Sequence, residues 1–283
     1  MLSLNNPEWI SKYEFPYTNF SQIPESVFTE INKNLNIRAS KQPQVSILIA
    51  AWNEEINILR SVASLSEMET EIPFEIIVIN NNSIDNTQLT IDKLQVKSLF
   101  QQKQGTGPAR QLGQENALGK YILLADADCF YPKKWLDEMI SILKKPAVSV
   151  VYGRYAFISE PGFPRWKLMI LETLKNIFAE IRHINKPFFN TYGLSMGYVK
   201  EYGLKVGFPM NNLRLDDGSL TLDLMKFGKI KQVRSSKATV WTGPRTLQKD
   251  GTLFQALKNR FIKEFKRFFS YFSKEIKSMP PKD

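Results

Sequence analysis

Between residues 44 and 126 the apolar positions come in short unbroken runs, each closed by a polar cluster. Residues 45–50 (VSILIA), 74–79 (FEIIVI) and 121–125 (YILLA) leave no gap for solvent. Runs of this length and density read as strands buried on both faces. The first is followed by Trp52-Asn53-Glu54, the second by Asn80 to Ser83, the third by Asp126-Ala127-Asp128. Between them the period changes. Ile56, Leu59, Val62 and Ala63 recur at helical spacing. Asp85-Asn86-Thr87-Gln88 reads as a helix N-terminus with Gln at the third position, ahead of Leu89 and Leu94. A weaker strand is expected over 96–100. Gly105-Thr106-Gly107-Pro108 reads as a loop with Pro at a first helical position, then a helix over 110–118 stopped by Gly119. Strand and helix alternating in this way predict an α/β fold with a mostly parallel central sheet and helices on both faces. The three polar strand ends then share one edge, which is where such sheets hold nucleotides.

The second half is less regular. A helix is expected over 136–143 and a strand over 148–152. Pro161 and Pro164 break the chain before a long helix over 165–184, whose apolar residues exceed one narrow face. Residues 188–198 are rich in glycine and aromatics, which reads equally as the wall of an acceptor site and as a packed loop. Asp216 and Asp217 open a helix that continues through Leu220, Leu224 and Phe227 to Gly228. Two strands, near 230–233 and 238–242, precede Gly243-Pro244-Arg245. Residues 1–43 show no period and read as an extension packed on the body. From Phe254, Leu257, Phe261, Phe265, Phe268, Phe272 and Ile276 step by three or four, with lysines and arginines between them. That spacing predicts a basic amphipathic helix over 246–283, suited to an anionic lipid interface or to packing back on the body with its cations in water.

Charge sharpens this division. The net charge is +10, yet residues 226–283 carry 15 Lys and Arg against 4 Asp and Glu, while residues 1–225 nearly balance at 23 against 24. A basic tail on a neutral body is a poor match for a nucleic-acid-binding protein. Cys129 is the single cysteine and His183 the single histidine. An internal disulfide is therefore excluded, and a Cys-based zinc site or a Ser-His-Asp hydrolase finds no support. Cys129 reads as a small packing residue. No basic segment followed by an apolar run opens the chain, and no apolar run reaches spanning length. The expectation is a cytoplasmic protein, peripheral at the cytoplasmic face of a membrane if the C-terminal helix meets lipid.

The chemistry gathers at Asp126 and Asp128. Two carboxylates two residues apart on extended backbone point the same way. As hard oxygen ligands they suit Mg²⁺ or Mn²⁺ shared with a substrate diphosphate. The G-T-G-P loop is not a G-x-G-x-x-G, and no P-loop is present, which weighs against dinucleotide and ATPase readings.

The order of segments resembles the family 2 glycosyltransferases, which have the GT-A fold. VSILIAAWNEE is similar to that family's first strand and Asn-Glu, and EIIVINNNSIDNT to its second strand and acidic turn. GTGPARQLGQENALGKYILLADADCFYP resembles its Gly-rich loop, Arg-containing helix and D-x-D strand. GFPMNNLRLDDGSLTLDLMKFGKI resembles its acceptor-side segment with an acidic pair. The match implies a catalytic domain over 44–245, with a nucleotide-binding half at 44–145 and an acceptor half at 146–245.

The same resemblance implies roles. Ala51, Asn53, Glu54, Asn81, Arg110 and Asp126 would hold the nucleotide, Asp128 the metal, and Asp217 would be the general base with Asp216 beside it. Asn80 and Asn81 stand where many members have Asp, so a UDP- or a GDP-sugar remains open. Val240-Trp241-Thr242 stands where the family often has a histidine. The Q-x-x-R-W motif of processive synthases is absent, so the expected reaction is inverting transfer of one sugar to a glycan or lipid-linked hydroxyl. Arg245 is a candidate for electrostatic help at the diphosphate. The competing readings are a sugar nucleotidyltransferase, which would want a basic Gly-rich loop after the first strand rather than AAWNEE, and an inactive nucleotide-binding module of the same fold.

Overall fold

The computed structural model describes residues 4–38, 40–210 and 216–248, with 255, 258–260, 262 and 271 beyond them. The strands are β1 (Val45–Ala51), β2 (Phe74–Asn80), β3 (Lys97–Phe100), β4 (Tyr121–Asp126), β5 (Cys129–Phe130), β6 (Val148–Tyr152), β7 (Tyr155–Phe157), β8 (Met196–Val199), β9 (Lys229–Gln232) and β10 (Val240–Thr242). The helices are α1 (Glu8–Ser11), α2 (Glu25–Arg38), α3 (Asn57–Ser66), α4 (Thr87–Lys93), α5 (Thr106–Asn116), α6 (Trp135–Leu143), α7 (Arg165–Asn185), α8 (Lys200–Val206), α9 (Asp216–Leu224) and α10 (Arg245–Gln248).

Seven strands form the central sheet in the order β3-β2-β1-β4-β8-β6-β9. β1 pairs in parallel with β2 and β4, and β2 with β3, so the strand ends at Ala51, Asn80 and Asp126 do share one edge. Alternate side chains serve opposite cores. Ile47 and Ile49 pack with Leu59, Trp135 and Phe28 on one face. Leu48 packs with Ile77, Ala109, Tyr198 and Leu220 on the other. A second sheet, β5-β10-β7, stands just past the D-x-D turn.

β8 was not expected. It runs antiparallel between β4 and β6 and joins the two halves of the sheet. Its Gly197 is required by packing, because a Cβ there would stand 2.3 Å from Leu123 Cδ2. α2 also departs from the sequence reading of 1–43, since Phe28, Ile31 and Leu35 are buried at helical spacing against the body. The helix after the G-T-G-P loop begins at Thr106, so Pro108 is its third residue rather than its first, and it ends at Asn116. Gly119 is no helix stop: it lets β1 pass close, with Ser46 N only 2.6 Å from where a Cβ would be. At α4, Asp85 accepts from Thr87 N (3.0 Å), but Gln88 pairs with Asn80 and Asp92 instead of folding back as a cap.

α7 is fastened to the second sheet by a buried ion pair. Arg165 donates to both Glu172 oxygens at 2.9 and 2.7 Å, and Phe157 N–H donates to Oε1 at 2.7 Å. Nearby, Lys175 Nζ donates to Tyr155 O (2.6 Å) and lies 3.2 Å from that ring's centre. Burial pushes the Lys175 ammonium down to about 7, with Glu172 opposing the shift. Below pH 7 both folded and unfolded chains hold this proton; between about 7 and the ordinary lysine value only the unfolded chain does. Stability is then expected to rise with pH from about 7 towards 10. Melting Lys175→Met across that window should give a flatter profile than wild type; parallel profiles would contradict it.

The predicted amphipathic stripe of Leu257, Phe261, Phe265, Phe268, Phe272 and Ile276 lies outside the described residues. Tyr271 is buried, and Asn185 Nδ2 donates to its carbonyl at 3.0 Å, so at that point the chain lies against α7. Among the described residues no helix is long and apolar enough to cross a membrane.

Candidate active site

The loops after β1, β2 and β4 lock one another. Asn53 takes the left-handed conformation, φ 53°, which asparagine tolerates. Its N–H donates to Ser83 Oγ (3.0 Å), and its Oδ1 accepts from Ile84 N (2.9 Å). Glu54 N–H donates to Thr87 Oγ1 at 2.8 Å. Ala51 is fully buried and its carbonyl accepts from Asn81 N (2.8 Å), so it shapes the loop through backbone alone. Asn81 Oδ1 accepts from Gly105 N at 2.9 Å, tying the Gly-rich loop to the end of β2. Asn80 donates its amide to Gln88 (2.7 Å) and accepts from Ser83 N (2.9 Å).

Asp126 closes β4, and Ala127-Asp128 form a turn instead of the extended backbone expected. The two carboxylates still converge: ligand atoms of Asp126, Asp128 and Cys129 lie within 4.8 Å of one another. Cys129 is buried, and burial beside two acids pushes its thiol well above the ordinary range. The two carboxylates are hard oxygen donors, which fits Mg²⁺ or Mn²⁺. Burial also raises the Asp126 carboxyl above its usual range; Arg110 opposes this, and Asp128 and Asp217 add to it.

Arg110 is the centre of the arrangement. It is 4% exposed, projects from α5, and pairs with Asp126 Oδ1 at 3.2 Å and with Asp217 Oδ1. One buried guanidinium thus joins the end of β4 to α9, sequence-distant by about a hundred residues. Gly193 N–H donates to Asp217 Oδ2 at 2.7 Å, so both oxygens of this carboxylate are aimed. Each keeps a lone pair for a further donor. Asp216 opens α9; its side chain lies outside the described residues.

Three supporting residues escaped the sequence reading. Tyr131 is buried, accepts from Asp126 N (2.8 Å) and donates to Leu194 O (3.1 Å), bracing the acidic turn against the segment that leads into β8. Its position three residues past the second Asp was the signal available. Asn57 donates to Glu54 Oε2 at 2.6 Å. Gly193 is required by closeness, because a Cβ would fall 1.8 Å from Arg110 Nη2. Gly193→Ala should push the guanidinium off its two carboxylates and lower the melting temperature, since overpacking a filled site costs about 1–3 kcal/mol. Calorimetric melting checks this; a wild-type melting temperature would show that Arg110 can move without consequence.

The expected candidate Arg245 belongs to the site. Its Nη2 lies 2.6 Å from Asp128 Oδ2 and 2.8 Å from Glu54 Oε1. Four carboxylates and two guanidiniums therefore converge at one sheet edge.

Comparison with known proteins gives the family and the fold. The profile of Glycosyl transferase family 2 matches residues 46–202, more than half of the chain, and the protein belongs to that family. It is 29% identical over 131 residues to Glycosyltransferase AglE of Haloferax volcanii, covering 44% of this chain and 43% of that one. Over 119 residues it is 29% identical to the Escherichia coli protein WfgD, UDP-Glc:alpha-D-GlcNAc-diphosphoundecaprenol beta-1,3-glucosyltransferase, covering 41% of this chain and 47% of that one. The matches thus span less than half the length of these relatives. In fold it is similar to the mannosyltransferase PcManGT from Pyrobaculum calidifontis, solved with GDP-Man and Mn²⁺, at TM-score 0.57 and 14% identity over 87% of this chain and 80% of that one. It is also similar to S. aureus TarS 1–349 with UDP, at TM-score 0.58 and 18% identity over 80% and 72%. The architecture is that of the GT-A glycosyltransferases.

Proposed function

We propose that the protein is an inverting glycosyltransferase that moves one sugar from a UDP- or GDP-linked donor to a hydroxyl of a glycan or lipid-linked acceptor. The observation that carries this reading is the double pairing of Arg110, which holds Asp217 beside the D-x-D edge and aims its carboxylate. In this reading the loops at Asn53, Glu54 and Asn81 seat the nucleoside, and Asp126 faces the ribose. Asp128, with Asp126 beside it, would hold Mg²⁺ or Mn²⁺, which supplies positive charge to the departing diphosphate. Asp217 takes the proton from the acceptor hydroxyl as its oxygen attacks the anomeric carbon from the face opposite the leaving group. A single displacement inverts that carbon. The nucleotides bound by the two fold relatives support a nucleotide donor, and the undecaprenol-linked substrate of the E. coli relative supports a lipid-linked acceptor.

A thermal-shift series with UDP, GDP, dTDP and their sugars, with and without Mn²⁺, tests the reading. Stabilisation by one base series, increased by the metal, is expected. Indifference to every nucleotide would refute it.

We also propose that the enzyme works at an anionic cytoplasmic membrane surface. Support comes from the excess of basic residues after 225 and from Trp166, Ile170, Ile177 and Ile184, all exposed and spaced along one face of α7. Full-length protein should co-sediment with anionic but not neutral vesicles, less so at high salt. Absence of binding to either vesicle would rule this out.

A further inference from the structure

Resting on the donor reading above, the arrangement at Asp128 carries a further consequence. The carboxylate suited to a divalent ion already faces a cation from its own chain. Arg245 Nη2 bridges Asp128 Oδ2 at 2.6 Å and Glu54 Oε1 at 2.8 Å. Its backbone is pinned: Leu247 is fully buried, its N–H donates to Pro244 O at 2.7 Å, and Gln248 reaches Glu160 at 3.3 Å. Glu54 is pinned too, buried to 9% exposure with its other oxygen held by Asn57 at 2.6 Å. Asp128 is the looser partner, on a turn, with its side chain 26% exposed.

We propose that Arg245 is an internal counter-cation for Asp128, competing with the divalent ion in the empty enzyme and released to the donor diphosphate when nucleotide and metal arrive together. A guanidinium and a divalent ion on one carboxylate oxygen repel each other. Arg245 keeps its anchor on Glu54 and swings its planar fork away from Asp128. The fork then presents free N–H groups, whose geometry matches phosphate oxygens. Glu54 is accordingly a positioning residue for Arg245, which adds to its expected part in holding the nucleotide. Metal alone binds weakly, metal and nucleotide bind as a pair, and the bare site resists filling by adventitious ions.

The test is Mn²⁺ binding to the full chain, read from the paramagnetic resonance signal of the free ion, for wild type, Arg245→Gln and Arg245→Lys. Arg245 is half exposed, so neither change opens the core. Without nucleotide, Arg245→Gln should bind Mn²⁺ roughly three- to tenfold more tightly than wild type, the range a partly exposed charge-assisted pair commands. Arg245→Lys, keeping charge without the fork, should fall between. With UDP or GDP added, Mn²⁺ affinity should rise more in wild type than in Arg245→Gln, and calorimetric affinity for the diphosphate should drop in the variant. Unchanged or weaker Mn²⁺ binding by Arg245→Gln without nucleotide overturns the proposal. If wild type binds neither UDP nor GDP while Arg245→Gln still gains Mn²⁺ affinity, the counter-cation role survives and the donor reading fails.

Discussion

Asp217→Asn is expected to keep donor binding and lose roughly two to four orders of magnitude in turnover. The amide preserves the shape and the acceptance from Gly193 N–H, so the fold around α9 should hold. It cannot take a proton, and it removes the negative charge that Arg110 faces. Because Arg110 also pairs with Asp126, the freed guanidinium should turn more fully to Asp126, and donor affinity should change by no more than a few-fold. Single-turnover kinetics with the donor identified by thermal shift, alongside calorimetry for donor binding, separates the two effects. Near-normal turnover would hand the base role to another group, with Asp216 the first to examine. A variant that melts far below wild type would instead make Asp217 a structural partner of Arg110.

Asp128→Ala should abolish the metal-dependent part of nucleotide binding. Groups one shell out from a metal already cost 10- to 100-fold in affinity when lost, so removing a direct ligand should exceed about 100-fold. The affinity for the nucleoside, which does not share the ion, should stay near wild type. EDTA should then weaken diphosphate binding in wild type and leave the variant unchanged. Equal diphosphate affinity in both proteins would remove Asp128 from the site. Asp128 is well suited to such surgery, since its carboxylate contacts Arg245 rather than the sheet's core.

The parts of the fold legible in the sequence were those whose burial leaves a continuous apolar run. β1, β2 and β4 are sandwiched between two cores, so nearly every residue is apolar and their polar ends stand out. β8 was not legible because it is four residues long with a glycine that packing against Leu123 demands; glycine ordinarily counts against a strand. α2 was missed because Phe28, Ile31 and Leu35 form a narrow stripe among asparagines and charged residues, enough for docking on one side and too sparse to read. At the site, the acidic residues could be named from strand ends and resemblance. What could not be read was how they are wired. Arg110 counted as a nucleotide contact, yet its guanidinium holds Asp126 and Asp217, and only tertiary structure brings those two together. Gly193 carries no chemical signature at all; its importance is the space it leaves.

Asn81 bears on how such an enzyme would be re-engineered. Its carboxamide oxygen already accepts from Gly105 N–H and keeps one lone pair, and its NH₂ is the donor it can offer a base. If Asn81 meets the base, it favours a carbonyl edge, which uracil and guanine both offer, and so discriminates poorly between them. Substituting Asn81 by Asp to redirect the donor would keep the tether to the loop while deleting that NH₂. A designer seeking a new donor range should therefore leave Asn81 in place and diversify Gln101 to Gln104, the stretch whose path this tether sets.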